Sequence, residues 1–453
     1  MKSICRFAII FVALYHVLTI FMPVKVPLLL FLLTALLFCS GICLQERGFR
    51  KITLFFLLAG SGILGYYRLA PEVWMESFVS MTNVISIIVV MQFFTLPIEL
   101  GGYAGSVEYW LKKSFKKESS LYLFAMLVTH AFSSFLLFGT VPVMVSLFSK
   151  ALKNNIADHK RFLATAIVRG YALVLFWAPG AIIMLLVLQV TQVSWFDLVV
   201  PGFLLSLIGL ATAYGFEHVT RLNKIIPAAA GRPEDRPEAK SLAHTQAVHI
   251  LLVVVGLLLL VALFDAFSIG FGTGKILLAG LIVAGLWLFY YRRHAKMGST
   301  LEQYWRDGVM KAADLSVFFI SMGLFAGAVD KSGILMQIQP ILQQGVNQLG
   351  SFSIIAVPLL FIFLAMAGIH PLILAVIFGK ILTGLSLPLP LVSIALLLVL
   401  ASAVSFVVSP FAGMVLMTAK FLEVKPMEVA VKWNAGFCAL FLAEGILFAY
   451  FWH

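Results

Sequence analysis

The chain has 453 residues, of which 62% are apolar and only 11% charged, with a mean hydropathy of +1.04. That balance excludes a water-soluble enzyme or binding domain of any size and reads as a polytopic membrane protein. The net charge of +12 follows from where basic residues fall between apolar runs, so no nucleic-acid partner is expected.

Met1 to Arg6 lead into an apolar run that ends at Met22 with no small-residue cleavage site, so a retained first span is expected. Apolar runs at 7–23, 26–44, 52–70, 78–98, 162–193, 197–217, 247–265, 271–291, 313–333, 388–422 and 427–452 predict about 11 transmembrane helices, some long enough to hold a break. Two further stretches, 119–152 and 351–383, are pairs of short apolar arms around a Gly/Pro break. Arms of about 15 residues rise roughly 22 Å, short of an apolar core of about 30 Å. Both stretches therefore read as re-entrant hairpins.

The stretches 99–118 and 334–350 are amphipathic, the first basic and the second uncharged, and both read as interfacial helices on opposite surfaces. Glu217 to Gln246, with Gly231-Arg232-Pro233-Glu234-Asp235-Arg236-Pro237-Glu238 inside it, reads as a cytoplasmic linker. The expected organisation is scaffold helices at 1–77, a first repeat at 78–217 with its hairpin at 119–152, and the linker at 218–246. Further scaffold helices follow at 247–311, then a second repeat at 312–453 with its hairpin at 351–383.

With a cytoplasmic N-terminus and an external C-terminus, only Lys25, Arg68, Lys275, Lys331 and Lys380 of the 32 basic residues face out, which is the expected positive-inside bias. The predicted location is the cell (plasma) membrane. Cys5, Cys39, Cys43 and Cys438 lie in or beside apolar runs. They read as small packing residues, since Cys39 and Cys43 have no His or carboxylate company for a metal.

The later part of the chain rereads an earlier part. Phe138-Gly139-Thr140-Val141-Pro142 pairs with Ala367-Gly368-Ile369-His370-Pro371; Trp177-Ala178-Pro179-Gly180-Ala181 falls on Val408-Ser409-Pro410-Phe411-Ala412; and Gln192-Val193 falls on Glu423-Val424. An interrupted helix in lipid frees backbone groups that only protein or a water-filled cavity can satisfy, so four breaks at matched positions imply a shared polar cavity. Inverted repeats with broken helices are the mark of secondary transporters.

On this topology, on the Asp330-Lys331-Ser332-Gly333 turn and on the two hairpin-plus-broken-helix units, the chain resembles the ion transporter superfamily over about 78–452. That superfamily includes divalent anion/sodium symporters, citrate carriers, arsenite permeases and one group of sodium/proton antiporters. The resemblance implies an all-α elevator-type transporter, usually a homodimer, in which hairpins and broken helices slide against a scaffold. Members often carry a Ser-Asn-Thr type sequence at each hairpin tip; here only Thr140 keeps that polar character, which puts sodium coupling in doubt.

The candidate substrate-binding residues are Thr140, Pro142, Pro179, His370, Pro371, Ser405 and Ser409. His370 and Glu444 are the candidates for proton coupling. His370 is a titratable group at a hairpin tip; a satisfied core histidine is the competing reading. Ser402, Ser405 and Ser409 share one helical face, as a polar wall or a packing stripe would. Glu444 is the one carboxylate deep in an apolar run, either a proton site or a scaffold residue. Asn434 either reaches the site or bonds a neighbouring helix. Arg169 is expected to snorkel to the surface.

No catalytic residues, metal or cofactor are expected, beyond coupling to Na+ or H+. The expected partners are the lipid bilayer and a small anionic solute. Carboxylates near the cavity are missing, which favours an anion over cation/proton exchange. A sodium/proton antiporter of the same fold is one alternative. An intramembrane enzyme or assembly scaffold is another, although there is no His-Glu-x-x-His, no paired carboxylates, and at Gly60-Ser61-Gly62 no accompanying His.

Overall fold

A computed structural model describes residues 2–452 apart from 22–25, 46, 104–105, 107–108, 110–114, 116, 137–139, 154–155, 157, 221–236, 268 and 270–273. Half of the predicted basic interfacial stretch and most of the linker therefore lie outside the described residues. Among the described residues no strand is formed, and seven helices are long and apolar enough to cross a membrane by length and composition. Their outward faces are apolar: Phe7, Phe11, Leu14 and Leu18 on the first helix and Leu252, Leu259 and Leu263 on a later one are all exposed. Contiguous apolar surface of that kind needs an apolar solvent.

The chain forms two compact units. The first comprises residues 1–100, 256–350 and 380–386. Its helices are α1 (Lys2–Phe21), α2 (Pro27–Ile42), α3 (Arg47–Tyr66), α4 (Pro71–Val79), α5 (Thr82–Gln92) and α6 (Thr95–Leu100). α15 (Ala313–Lys331) is the hub, packed against α2, α3, α4 and α5. Small residues permit this contact: a Cβ on Gly60 of α3 would lie 2.9 Å from the Phe325 backbone, so the two helices touch main chain to main chain.

The run expected as one span at 78–98 is instead interrupted at Ser80–Met81 and at Phe93–Phe94. The cause is local at the first interruption. The Ser80 hydroxyl donates to the Ser77 carbonyl and the Thr82 hydroxyl to the Val79 carbonyl, competing with the helix ladder. The predicted turn at Asp330–Gly333 is present, with Gly333 at φ +74°, a conformation natural to glycine. It leads into α16 (Ile334–Leu349), the expected amphipathic helix.

The second unit comprises residues 101–255, 351–379 and 387–453. It contains α7 (Glu118–Leu136) and α8 (Thr140–Lys153), then α9 (His159–Val174), α10 (Ile182–Thr191), α11 (Trp195–Thr220) and the start of α12 (Pro237–Ala266). Later come α17 (Ser353–Met366), α18 (Pro371–Thr383, which leaves the unit at 379), α19 (Leu391–Val408), α20 (Gly413–Leu422) and α21 (Trp433–Phe451). Between them, α13 (Gly274–Tyr290) and α14 (Met297–Gln303) belong to the first unit. The hairpin arms α8, α17 and α18 have 14, 14 and 13 residues, but α7 has 19, a longer arm than the sequence suggested.

α10 and α20 are both 10 residues long and sit 231 positions apart. Each starts from an extended alanine, Ala181 at φ −68°, ψ 125° and Ala412 at φ −67°, ψ 134°. Each ends on a left-handed residue, Gln192 at φ +60° and Glu423 at φ +53°. These are the positions the sequence comparison paired.

Candidate functional site

The two helix breaks of the second unit are each bonded to a neighbouring helix. At the first, 175–181, the Trp177 indole N–H donates to Nε2 of His130 on α7 at 3.0 Å, and the Trp177 carbonyl accepts from the Trp195 indole at 3.2 Å. Nδ1 of His130 lies 3.0 Å from the Gly170 carbonyl, so the ring is a satisfied neutral imidazole with its proton on Nδ1. α7 can come this close to α9 because of Gly170, whose added Cβ would sit 2.7 Å from the Met126 carbonyl.

At the second break, 409–412, the Ser409 hydroxyl donates to the Ala365 carbonyl at 2.7 Å. The His370 ring meets Phe406 edge-on at 5.9 Å, and Gly368, at φ +107°, lies beside Phe411. α8 packs on α20, and α10 on α19.

Both helices that begin at these breaks start from a buried residue that provides no side-chain cap. Ala181 and Ala412 are 1% and 0% exposed, and neither helix start has a side-chain cap. Alanine is a poor cap, and the first four N–H groups of a helix have no partner within it. Pro371 is the first residue of α18 and Pro142 the third of α8, places where the missing N–H costs nothing. Pro179 is buried within the first break.

The sequence-predicted polar residues divide into committed and uncommitted groups. Ser409 is committed to Ala365, and Ser402 donates to the Leu398 carbonyl. His370 accepts the Leu372 N–H at Nδ1, 3.2 Å, which makes it the cap of α18. Glu444 is half-buried and accepts the Thr212 hydroxyl at 2.6 Å. By contrast, Thr140 and Ser405 are fully buried, and among the described residues their hydroxyls have no hydrogen-bond partner. Ser133 and Ser206 share that condition. A buried hydroxyl without a partner costs about 1–3 kcal/mol, so each is a natural acceptor or donor for something bound.

Sequence reasoning missed the strongest electrostatic feature. Arg169 does not snorkel; it is fully buried. Its Nη1 lies 2.9 Å from Glu217 and also donates to the Tyr122 hydroxyl, its Nε donates to Asn434 Oδ1 at 2.7 Å, and its Nη2 donates to the Trp433 carbonyl. The guanidinium also lies over Phe437 at 4.6 Å. Arg161 Nη2 contacts both oxygens of Glu217, at 2.7 and 2.8 Å. The buried group carries two positive charges and one negative. Asn434 thus bonds neighbouring helices, and its Nδ2 satisfies the Val429 carbonyl freed by a π turn at Glu428–Lys432. The sequence held one clue, two arginines eight residues apart, about two turns along one helix.

Among the described residues no group of three or more His, Cys, Asp or Glu is placed to hold a metal, and Cys5, Cys39, Cys43 and Cys438 form no disulfide. No family model and no curated protein matches the chain. Among solved structures it is similar to the YdaH transporter of Alcanivorax borkumensis, whose crystal structure revealed an unusual topology. The TM-score is 0.60 at 12% sequence identity, over 88% of this chain and 98% of that chain. At that identity the likeness is one of fold alone.

Proposed function

We propose that the protein is a secondary active transporter of the ion transporter superfamily type, moving a small anion, an organic carboxylate or an inorganic oxyanion, across the plasma membrane. The observation that carries this reading is the pair of buried, uncapped helix starts at Ala181 and Ala412, in one compact unit with the unpartnered hydroxyls of Thr140 and Ser405. Helix starts present N–H groups and the positive end of the helix dipole, a ready anion site. The excess of buried arginine over carboxylate in that unit adds a positive field and supports an anion over a cation.

In this reading the matched breaks belong to two inverted repeats, and the hairpins and broken helices move as an elevator against a scaffold built from the remaining spans. The moving step is driven by a proton or sodium gradient, in a homodimer with a cytoplasmic N-terminus. A thermal-shift screen of the purified protein against carboxylates, sulfate, phosphate and other oxyanions tests the substrate class. An anion that binds the folded state raises its apparent stability. Stabilisation by Na+ or protons alone, with every anion inert, would favour the antiporter; product formation in detergent would favour an enzyme.

A further inference from the structure

A crevice of about 360 Å³ opens in the second unit between α7, α12 and the side chains of Tyr103 and Ser106. Its walls are apolar, with Phe124, Leu127 and Phe132 on one side and Ile250 on the other. Ala131, Ala243 and Ala247 also line it, and their short side chains leave the slot unfilled. One end is polar: the Ser106 hydroxyl donates to Gln246 Oε1, and Gln246 Nε2 donates to the Gly101 carbonyl. Basic charge lies beside the wall that carries Phe124. Phe115 packs its ring on Phe124 at 5.0 Å, which pins the chain carrying exposed Lys117 beside the crevice. In sequence Lys117 closes a run with Lys112, Lys113 and Lys116, which lie outside the described residues.

We infer that this crevice is a lipid site: it takes one acyl chain of an anionic phospholipid, with the headgroup phosphate drawn to Lys117. An apolar slot with an adjoining basic segment is complementary to that lipid class, because basic residues near the headgroups favour anionic lipids and an acyl chain gains by burying its methylenes. A neutral ligand would leave the lysine without a role.

The test is native mass spectrometry of the intact protein in detergent with dioleoylphosphatidylglycerol, dioleoylphosphatidylcholine or glycerol phosphate as probe. The expected result is retention of the anionic lipid over the zwitterionic one, with glycerol phosphate not retained. Lys117→Gln lowers that preference about five-fold, the equivalent of about 1 kcal/mol per basic residue. Ala247→Phe, which fills the slot, abolishes retention of both lipids. Ala131→Phe fills it from the other wall and serves if Ala247→Phe does not fold. Equal retention of the two lipids, or retention unchanged in the filled variants, overturns the assignment. Binding of glycerol phosphate alone would make it a free-anion site instead.

Discussion

Replacing Glu217 by Gln changes almost no volume but removes the one negative charge between two buried arginines. Glu217 is 1% exposed, with arginine nitrogens at 2.7, 2.8 and 2.9 Å from its oxygens. Arg169 cannot turn to water, being held by Asn434, Tyr122 and the Trp433 carbonyl. Leaving a buried charge uncompensated typically costs about 3–5 kcal/mol. Arg161→Met is gentler, because it leaves a neutral Arg169–Glu217 pair and removes a side chain with some access to solvent, 5% exposed. The expected order is therefore Glu217→Gln well above Arg161→Met, read as the shift in denaturant midpoint of the detergent-solubilised protein at constant slope. A Glu217→Gln protein within about 0.5 kcal/mol of the parent, the range of an ordinary surface change, would refute the claim that this triad ties α7, α9, α11 and α21 together.

Gly170→Val forces side-chain atoms towards the Met126 carbonyl, with the added Cβ at 2.7 Å, and should cost about 1–3 kcal/mol in the same assay. His370→Ala removes the cap of α18 and should cost about 1 kcal/mol, while His370→Asn keeps a capping acceptor and should cost less. A protonated His370 ring cannot accept the Leu372 N–H. If His370 titrates in the cycle, His370→Asn flattens the pH dependence of uptake; an unchanged profile makes His370 a cap alone. Glu444→Gln weakens the bond from Thr212 and should lower stability by about 1 kcal/mol while leaving uptake intact, whereas lost uptake would make it a proton site. Cysteines at positions 234 and 453 should label with an impermeant reagent in intact cells only at 453; the reverse pattern would overturn the orientation.

The sequence exposed the parts of the fold that have local punctuation. Pro179 and Pro410 marked the two breaks, and pairing Gln192 with Glu423 located two left-handed helix ends that the structure places at identical spacing. The break at Ser80–Met81 was hidden because serine and threonine hydroxyls make it, without glycine or proline. At the site, Thr140 and Ser405 were legible as polar residues at breaks, but not that they are unpartnered while Ser402 and Ser409 are occupied. Arg169 and Glu217 were misjudged for a deeper reason. Their pairing spans 48 positions and two helices, and in a single sequence a buried arginine with a partner looks the same as one that reaches the surface.

The central claim is most directly tested by uptake of labelled carboxylates, sulfate, phosphate and oxyanions into proteoliposomes under an imposed proton or sodium gradient. The account predicts gradient-dependent accumulation of at least one anion, abolished when the vesicles are made leaky. It also predicts that accumulation is strongly reduced in a Thr140→Val, Ser405→Ala double variant that remains folded. Uptake unchanged in that variant, or exchange of cations for protons with no anion carried, would contradict it.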